Sequence, residues 1–388
     1  MTPGTDPHLA TLRRHPRALQ AYERVHAVLH GRLPDRVPFC DGYWPDFRTR
    51  YLAERGLPPE TDLREHFDHD FVLMAPTMGP WPSREGTLGT DAAGHVLRRD
   101  DYGLVTADMP GAMSMSVHVD YAVKERRDLD RLPFEDPADE SRSERIVQEL
   151  PRTCTRFCPV FKLGGPFSRT WRLRGIQQFL EDLALDEAFA REMVERITDH
   201  LIAVGLSAVE RTGIPRVQLH VADDFAAVHA PLFSPAVYER VFLPNLKRLL
   251  APFRALGFKV SYESEGNTWP MLEFLDEAGV DALAYMEPRA GMRIERIRER
   301  WGDRFVVLGN VCNVRVLPGG DRSEIAREVH RVLSAAAHGG YMGLSAHSIG
   351  TDISADAYDY FWSLMDRFAR YPMDLAELAR AATPGGQR

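Results

Sequence analysis

From residue 158 onward the chain repeats one rhythm: a short apolar run, a polar tip, then a helical segment. The apolar runs fall at 158–163, 217–221, 258–262, 282–286, 305–308 and 341–344. Helical patterning fills the spaces between them. Over 187–211 the residues Phe189, Met193, Ile197 and Leu201 recur every four positions as an apolar stripe, and Gly213 follows as a C-terminal stop. Ser234 and Pro235 read as the N-cap and first residue of another helix, which Pro244 interrupts. Strands separated by helices of roughly 10–20 residues make βαβ units and a parallel sheet. No GxGxxG follows a strand and no GxxxxGK[ST] occurs, which disfavours a doubly wound nucleotide-binding fold. Further runs near 37–40 and 71–74 bring the total to about eight strands. The expected fold is therefore α/β: a single (β/α)8 barrel over residues 31–380. Residues 1–30 form an N-terminal extension carrying a helix from about residue 15. A Gly-rich hairpin insertion occupies 76–125, with turns at Gly79, Gly86, Gly89, Gly94, Gly103 and Gly111.

Composition narrows the function. A formal charge of −8 with no basic cluster argues against a nucleic-acid surface. No apolar run approaches the roughly 20 residues that span a bilayer, and the N-terminus lacks the apolar core of a signal peptide. A cytoplasmic location is expected. Of the four cysteines, Cys154 and Cys158 form CxxxC without a third thiol at cluster spacing, so Cys40, Cys154, Cys158 and Cys312 read as reduced thiols.

The strand tips are polar again and again: Asp223 and Asp224, Glu263 and Glu265, Glu287, Asn310, His347. Each alone reads more readily as a helix cap. As a set they suit the mouth of a barrel that binds something polar. Strand alternation puts Glu263 and Glu265 on one side. Two adjacent carboxylates repel, so either one keeps its proton or a cation neutralises them. With His347 they form a candidate divalent-metal set, Glu263, Glu265 and His347. His220 is a further candidate contact. Tyr262, beside the glutamates, is a candidate proton donor with Asp223, Asp224 and His347. Arg172, in the segment with Arg169 and Arg174 after Gly164-Gly165-Pro166, is a candidate grip for a substrate carboxylate. Trp44, Glu287 and Asn310 complete the expected substrate-binding set.

Several stretches carry a resemblance: GRLPDRVPF at 31–39, YWPDFR at 43–48, Gly-Gly-Pro-Phe at 164–167, the run 223–250, GNVCNVRVL at 309–317 and SAHSIGTDISADAY at 345–358. Over roughly residues 30–370 the chain resembles the uroporphyrinogen decarboxylase superfamily, which also holds corrinoid-dependent methyltransferases. The resemblance implies a (β/α)8 barrel, an active site at the C-terminal strand ends and a homodimer. His347 matches the family's late histidine, Arg172 its substrate-facing tyrosine, and Asp70 lies near its essential aspartate. The arginine-bearing run that binds propionates is replaced by Phe39-Cys40-Asp41-Gly42-Tyr43, which points away from uroporphyrinogen itself. The methyltransferases' zinc-binding His-x-Cys falls on Glu263-x-Glu265 and their second Cys on His347, so the thiolates are replaced by harder ligands. The expected activity is a decarboxylase-like lyase acting on a small or medium carboxylated substrate, with a divalent metal, zinc being the family's ion. The alternatives are a methyltransferase or demethylase working with a corrinoid protein, and a non-catalytic ligand-binding barrel.

Overall fold

The computed structural model describes residues 11–108 and 116–383, so the expected turn at Gly111 and the first ten residues lie outside the described part. Seven parallel strands form one curled sheet, in the order β1 (Phe71–Met74), β6 (Cys158–Gly164), β7 (Gln218–Ala222), β8 (Lys259–Glu263), β9 (Ala282–Ala284), β10 (Val306–Leu308) and β11 (Tyr341–Met342). Its two edges meet the same short segment, residues 37–43. Asp70 N donates to Phe39 O at 2.7 Å, while Cys40 N donates to Gly343 O and Gly343 N to Pro38 O at 3.0 and 2.9 Å. The segment expected as a first strand at 37–40 thus bridges β1 and β11, through an isolated bridge at Phe39–Gly343 rather than a full strand.

Two apolar layers follow from strand alternation. Outward residues such as Phe161, Leu219, Val260 and Leu283 pack against the surrounding helices. Inward residues, among them Cys158, Val160, Ala284, Leu308 and Met342, form a second cluster. The expected N-terminal helix, α1 (Pro16–Leu29), supplies the floor of that cluster through Ala21, Val25, Val28 and Leu29. Its spacing of three and four residues makes that apolar stripe, and Pro16 supplies a pre-set φ at its start. Burying each valine or leucine there contributes about 1.5–3 kcal/mol. The polar side of α1 is pinned as well. The fully buried Asp70 carboxylate receives Arg17, Arg24 and Arg36 at 3.1, 2.9 and 2.9 Å and the N–H of Phe39 at 2.9 Å. Asp70 precedes β1, so it lies at the N-terminal end of the sheet, opposite the strand tips. It is a structural hub, away from the strand tips where the resemblance puts the active site.

The long helix expected at 187–211 is Glu187–Thr212, ended by Gly213 in the left-handed conformation. Ser234 caps Val237 N as expected. The break expected at Pro244 comes earlier: residues Tyr238–Phe242 form a π turn before the α-helix Leu243–Ala255. The Gly-rich excursion folds as a four-stranded antiparallel sheet, β2 (Gly86–Thr90), β3 (Val96–Arg99), β4 (Val105–Asp108) and β5 (Ser116–Asp120), in sequential order. No helix among the described residues is long and apolar enough to cross a membrane.

Candidate active site

Parallel register places a polar row inside the curl. Lys162 of β6 pairs with His220 of β7, His220 with Ser261 of β8, and Ala222 with Glu263. The side chains connect as a directed chain. Gln218 Nε2 donates to Ser261 Oγ at 2.7 Å, Ser261 Oγ meets His220 Nδ1 at 2.9 Å, and His220 Nε2 meets Glu263 Oε2 at 2.6 Å. Lys162 Nζ approaches the same oxygen at 3.3 Å. Burial alone would raise the Glu263 pKa, but the His220 hydrogen bond and charge and then Lys162 outweigh it and bring it down to about 2. Burial pushes His220 the other way, below its ordinary value. A low Glu263 credited to a charged His220 and a His220 too buried to be charged are in conflict over one proton. With the Ser261 hydroxyl turned to Nδ1 at 2.9 Å rather than to the more distant Leu219 carbonyl at 3.5 Å, the donors run Gln218 to Ser261, Ser261 to Nδ1, Nε2–H to Glu263. That order needs a neutral imidazole, and Lys162 then supplies the cation that keeps Glu263 ionised.

Above this row, at the tips, stands the acidic rim. One oxygen each of Asp224, Glu263 and Glu265 lie within 4.8 Å of one another. Glu265 N donates to Asp224 Oδ1 at 3.1 Å. Although Asp224 keeps exposed surface, the protein crowded around its carboxyl, and then the charges of Glu263 and Glu265, push its pKa up to about 7. Glu265 has its own counter-charge: His347 Nε2 lies 2.8 Å from Oε1. That hydrogen bond, working against partial burial, raises His347 to about 9. The Trp44 ring meets His347 edge-on at 6.1 Å between centroids. Glu263, Glu265 and His347 therefore do converge, with Asp224 as the third carboxylate. His347 stands outside the three-oxygen set, since its imidazole is already the partner of Glu265.

Other expected residues are placed elsewhere. The alternation that turns Glu263 and Glu265 inward turns Tyr262 outward. It is buried among Phe225 and Tyr238, and its hydroxyl donates to Asp223 Oδ2 at 2.7 Å. Asp223 is equally committed: its Oδ1 accepts from Ser168 N at 2.6 Å in the first turn of the helix α2 (Pro166–Arg174). Tyr262 and Asp223 are a buried capping pair, not proton donors at the mouth. Asn310 is fully buried and spends its amide on structure. Its Oδ1 accepts from Ile294 N and Arg331 at 2.9 and 3.0 Å, and its Nδ2 donates to the carbonyls of Met286 and Met292. Arg172 is drawn to Asp100 of the antiparallel insertion at 2.6 Å, so its charge is already met. Glu287 ends the β9 tip half-buried, its carboxylate unpaired with any described residue. Sequence reasoning missed Lys162, a mid-strand lysine that patterning alone places nowhere, and did not bring Tyr285 into the candidate site. Tyr285 holds φ at +56°, a left-handed backbone that a bulky residue rarely adopts and that marks stored strain. Its ring stands 6.3 Å from that of His220, and its hydroxyl feels the charges of Glu263 and Glu265.

The model of the uroporphyrinogen decarboxylase (URO-D) family matches residues 111–368. No curated protein matches the chain. A methyltransferase from Methanosarcina mazei is similar in structure, with a TM-score of 0.60 at 15% identity, covering 89% of this chain and 98% of that one. At that identity the likeness concerns the fold. The family match spans well over half of the chain, and the chain belongs to the uroporphyrinogen decarboxylase family.

Proposed function

We propose that the curled sheet is a closed (β/α)8 barrel, with residues 37–40 in the place of an eighth strand, and that its mouth decarboxylates a small or medium carboxylated substrate. The observation that carries this reading is the pairing of two differently tuned acidic systems at one set of strand tips. Glu263 is held ionised by Lys162 and neutral His220, while Asp224 sits at about 7, beside Glu263 and Glu265. A group tuned near neutral pH is suited to give and recover a proton in turnover. In the proposed step the bond between the carboxyl carbon and its neighbour breaks, CO2 leaves, and the electron pair stays on the neighbouring carbon, delocalised into the substrate. Asp224 protonates that carbon and is reprotonated from solvent. Lys162 and the His347 imidazolium keep positive charge facing the anion. Asp224, Glu263 and Glu265 are the residues that would hold a divalent cation, in a form of the site alternative to proton donation by Asp224, because coordination would strip that carboxyl of its proton. Their oxygens suit a hard ion better than zinc, and a bound ion would polarise a substrate carboxylate.

The test is release of labelled CO2 from a panel of carboxylic acids. The wild type is expected to release it from at least one, and Asp224→Asn to lower the rate about 10²-fold or more. Wild-type rates in Asp224→Asn, or no CO2 from any acid, would refute the reading. Methyl transfer with a corrinoid protein is the second reading that the family allows, separated from the first by demethylation of a methylated corrinoid.

A further inference from the structure

The rim also carries a cation that no carboxylate of a described residue pairs with. Arg169 sits one turn into α2, and its side chain folds back over the tip of β6. A Cβ built on Gly164 would lie 1.8 Å from Arg169 Nε and 2.5 Å from its Cδ and Cγ. Gly164 shares the inward face of β6 with Lys162 two residues below, so the missing side chain is what lets the arginine stem lie across the mouth. The Arg169 guanidinium forms no hydrogen bond and no ion pair with any described residue, and its Nε is buried. It lies 5.8 Å from the ring of Tyr102, where Arg172 stacks at 5.6 Å. The two arginines differ in one respect: Arg172 pairs with Asp100, and Arg169 has no such hydrogen-bonded partner among the described residues. Asp101 feels the charge of Arg169, but its Oδ2 accepts from Gly79 N at 2.7 Å. Tyr102 itself is 3% exposed, and its hydroxyl is buried without a partner. An unpaired guanidinium nitrogen and an unpaired phenol, both out of water, carry a desolvation cost that a bound acceptor would relieve.

We propose that Arg169 and Tyr102 form an anion subsite that takes a carboxylate of the ligand at the β6 side of the mouth. This deepens the lyase reading and rests on it for the identification of that carboxylate with substrate. The guanidinium offers paired N–H donors to the two carboxylate oxygens, and the Tyr102 hydroxyl donates to one of them. The anion also relieves the repulsion of two guanidinium groups on one ring. The Arg169 stem crosses Gly164 on the strand that carries Lys162, so a ligand held by one carboxylate at Arg169 extends inward towards Glu263 and Asp224. The substrate class is then a molecule with at least two acidic groups, one for anchoring and one for loss.

The test is calorimetric binding of acetate, succinate, citrate and inorganic phosphate to the full chain, with no turnover required. Succinate or citrate is expected to bind the wild type more tightly than acetate. Arg169→Gln is expected to weaken that binding at least tenfold, Tyr102→Phe severalfold, and Arg169→Lys less than Arg169→Gln. Arg145→Gln, which removes an equally charged but exposed residue, is expected to leave it unchanged. Circular dichroism checks that each variant folds; if Arg169→Gln does not, Tyr102→Phe decides. Wild-type affinity in Arg169→Gln or in Tyr102→Phe, no binding to the wild type, or an Arg169 dependence seen with phosphate and not with the polycarboxylates would each overturn the subsite. Because binding is read without chemistry, a failed CO2 assay leaves this result standing, and a failed subsite leaves the CO2 assay standing.

Discussion

Replacing Glu265 with Gln removes the main charge that holds His347 as an imidazolium. The geometry fixes the size of the effect. His347 Nε2 lies 2.8 Å from Glu265 Oε1, and that contact, opposed by partial burial, takes the imidazole from 6.5 to about 9. At roughly 1.4 kcal/mol per decade, such a displacement corresponds to about 3 kcal/mol of preference for the charged form. His347 and Glu265 are 36% and 35% exposed, so solvent screening reduces the stabilisation to about 1 kcal/mol. The sign follows from the raised value. The pair stabilises the fold fully below pH 6.5 and loses its contribution as pH rises through about 9. Histidine ring NMR reads this directly, and His347→Gln assigns the resonance among the 14 histidines. The wild-type ring is expected to titrate well above pH 7, and in Glu265→Gln to fall back towards 6.5, where burial is opposed only by the Ser348 carbonyl and Asp224. The stability gap between the two proteins is expected to close above pH 9. A wild-type His347 that titrates near 6.5, or one that Glu265→Gln leaves in place, would refute the ion pair.

Gly164→Ala places a methyl on the stem of Arg169; it is expected to fold and to reproduce the anion-binding loss of Arg169→Gln, which calorimetry checks. Asp70→Asn leaves Arg17, Arg24 and Arg36 around a neutral group and is expected to cost about 3 kcal/mol, read as a lower denaturation midpoint; an unchanged midpoint would show that Asp70 is not the hub. Gly165→Ala drives a Cβ to 2.2 Å from the carboxyl carbon of Asp223 and is expected to lower the melting temperature by several degrees through loss of that cap. Added Mg2+ or Mn2+ is expected to raise the wild-type melting temperature more than that of Asp224→Asn, and equal responses would remove the three-carboxylate set as a cation site.

The parallel sheet was legible because its signal is long-range and redundant: six apolar runs, each with a helix behind it. Gly213 and the Ser234-Pro235 start were legible for local reasons, the left-handed stop and the hydroxyl cap. The convergence of Glu263 and Glu265 followed from a period of two. The same period should have excluded Tyr262, which sits between them and so faces the other way. Asn310 shows a different limit. Its place at a strand tip was visible, but a φ of +76° and four structural hydrogen bonds were not. The choice of Arg172 over Arg169 turned on Asp100, seventy-two residues away in the antiparallel insertion, and no local pattern reveals a partner at that separation. Lys162 was hidden for a similar reason: a lone lysine in an apolar run acquires meaning only when the next strand brings His220 and Glu263 beside it.

The most direct measurement is a crystal structure of the full chain soaked with whichever polycarboxylate binds most tightly. Density for the ligand is expected across the strand tips, one carboxylate on Arg169 and Tyr102 and the other end beside Asp224, Glu265 and His347. A ligand ordered elsewhere, with those side chains still paired as they are here, would contradict the assignment of this rim as the active site.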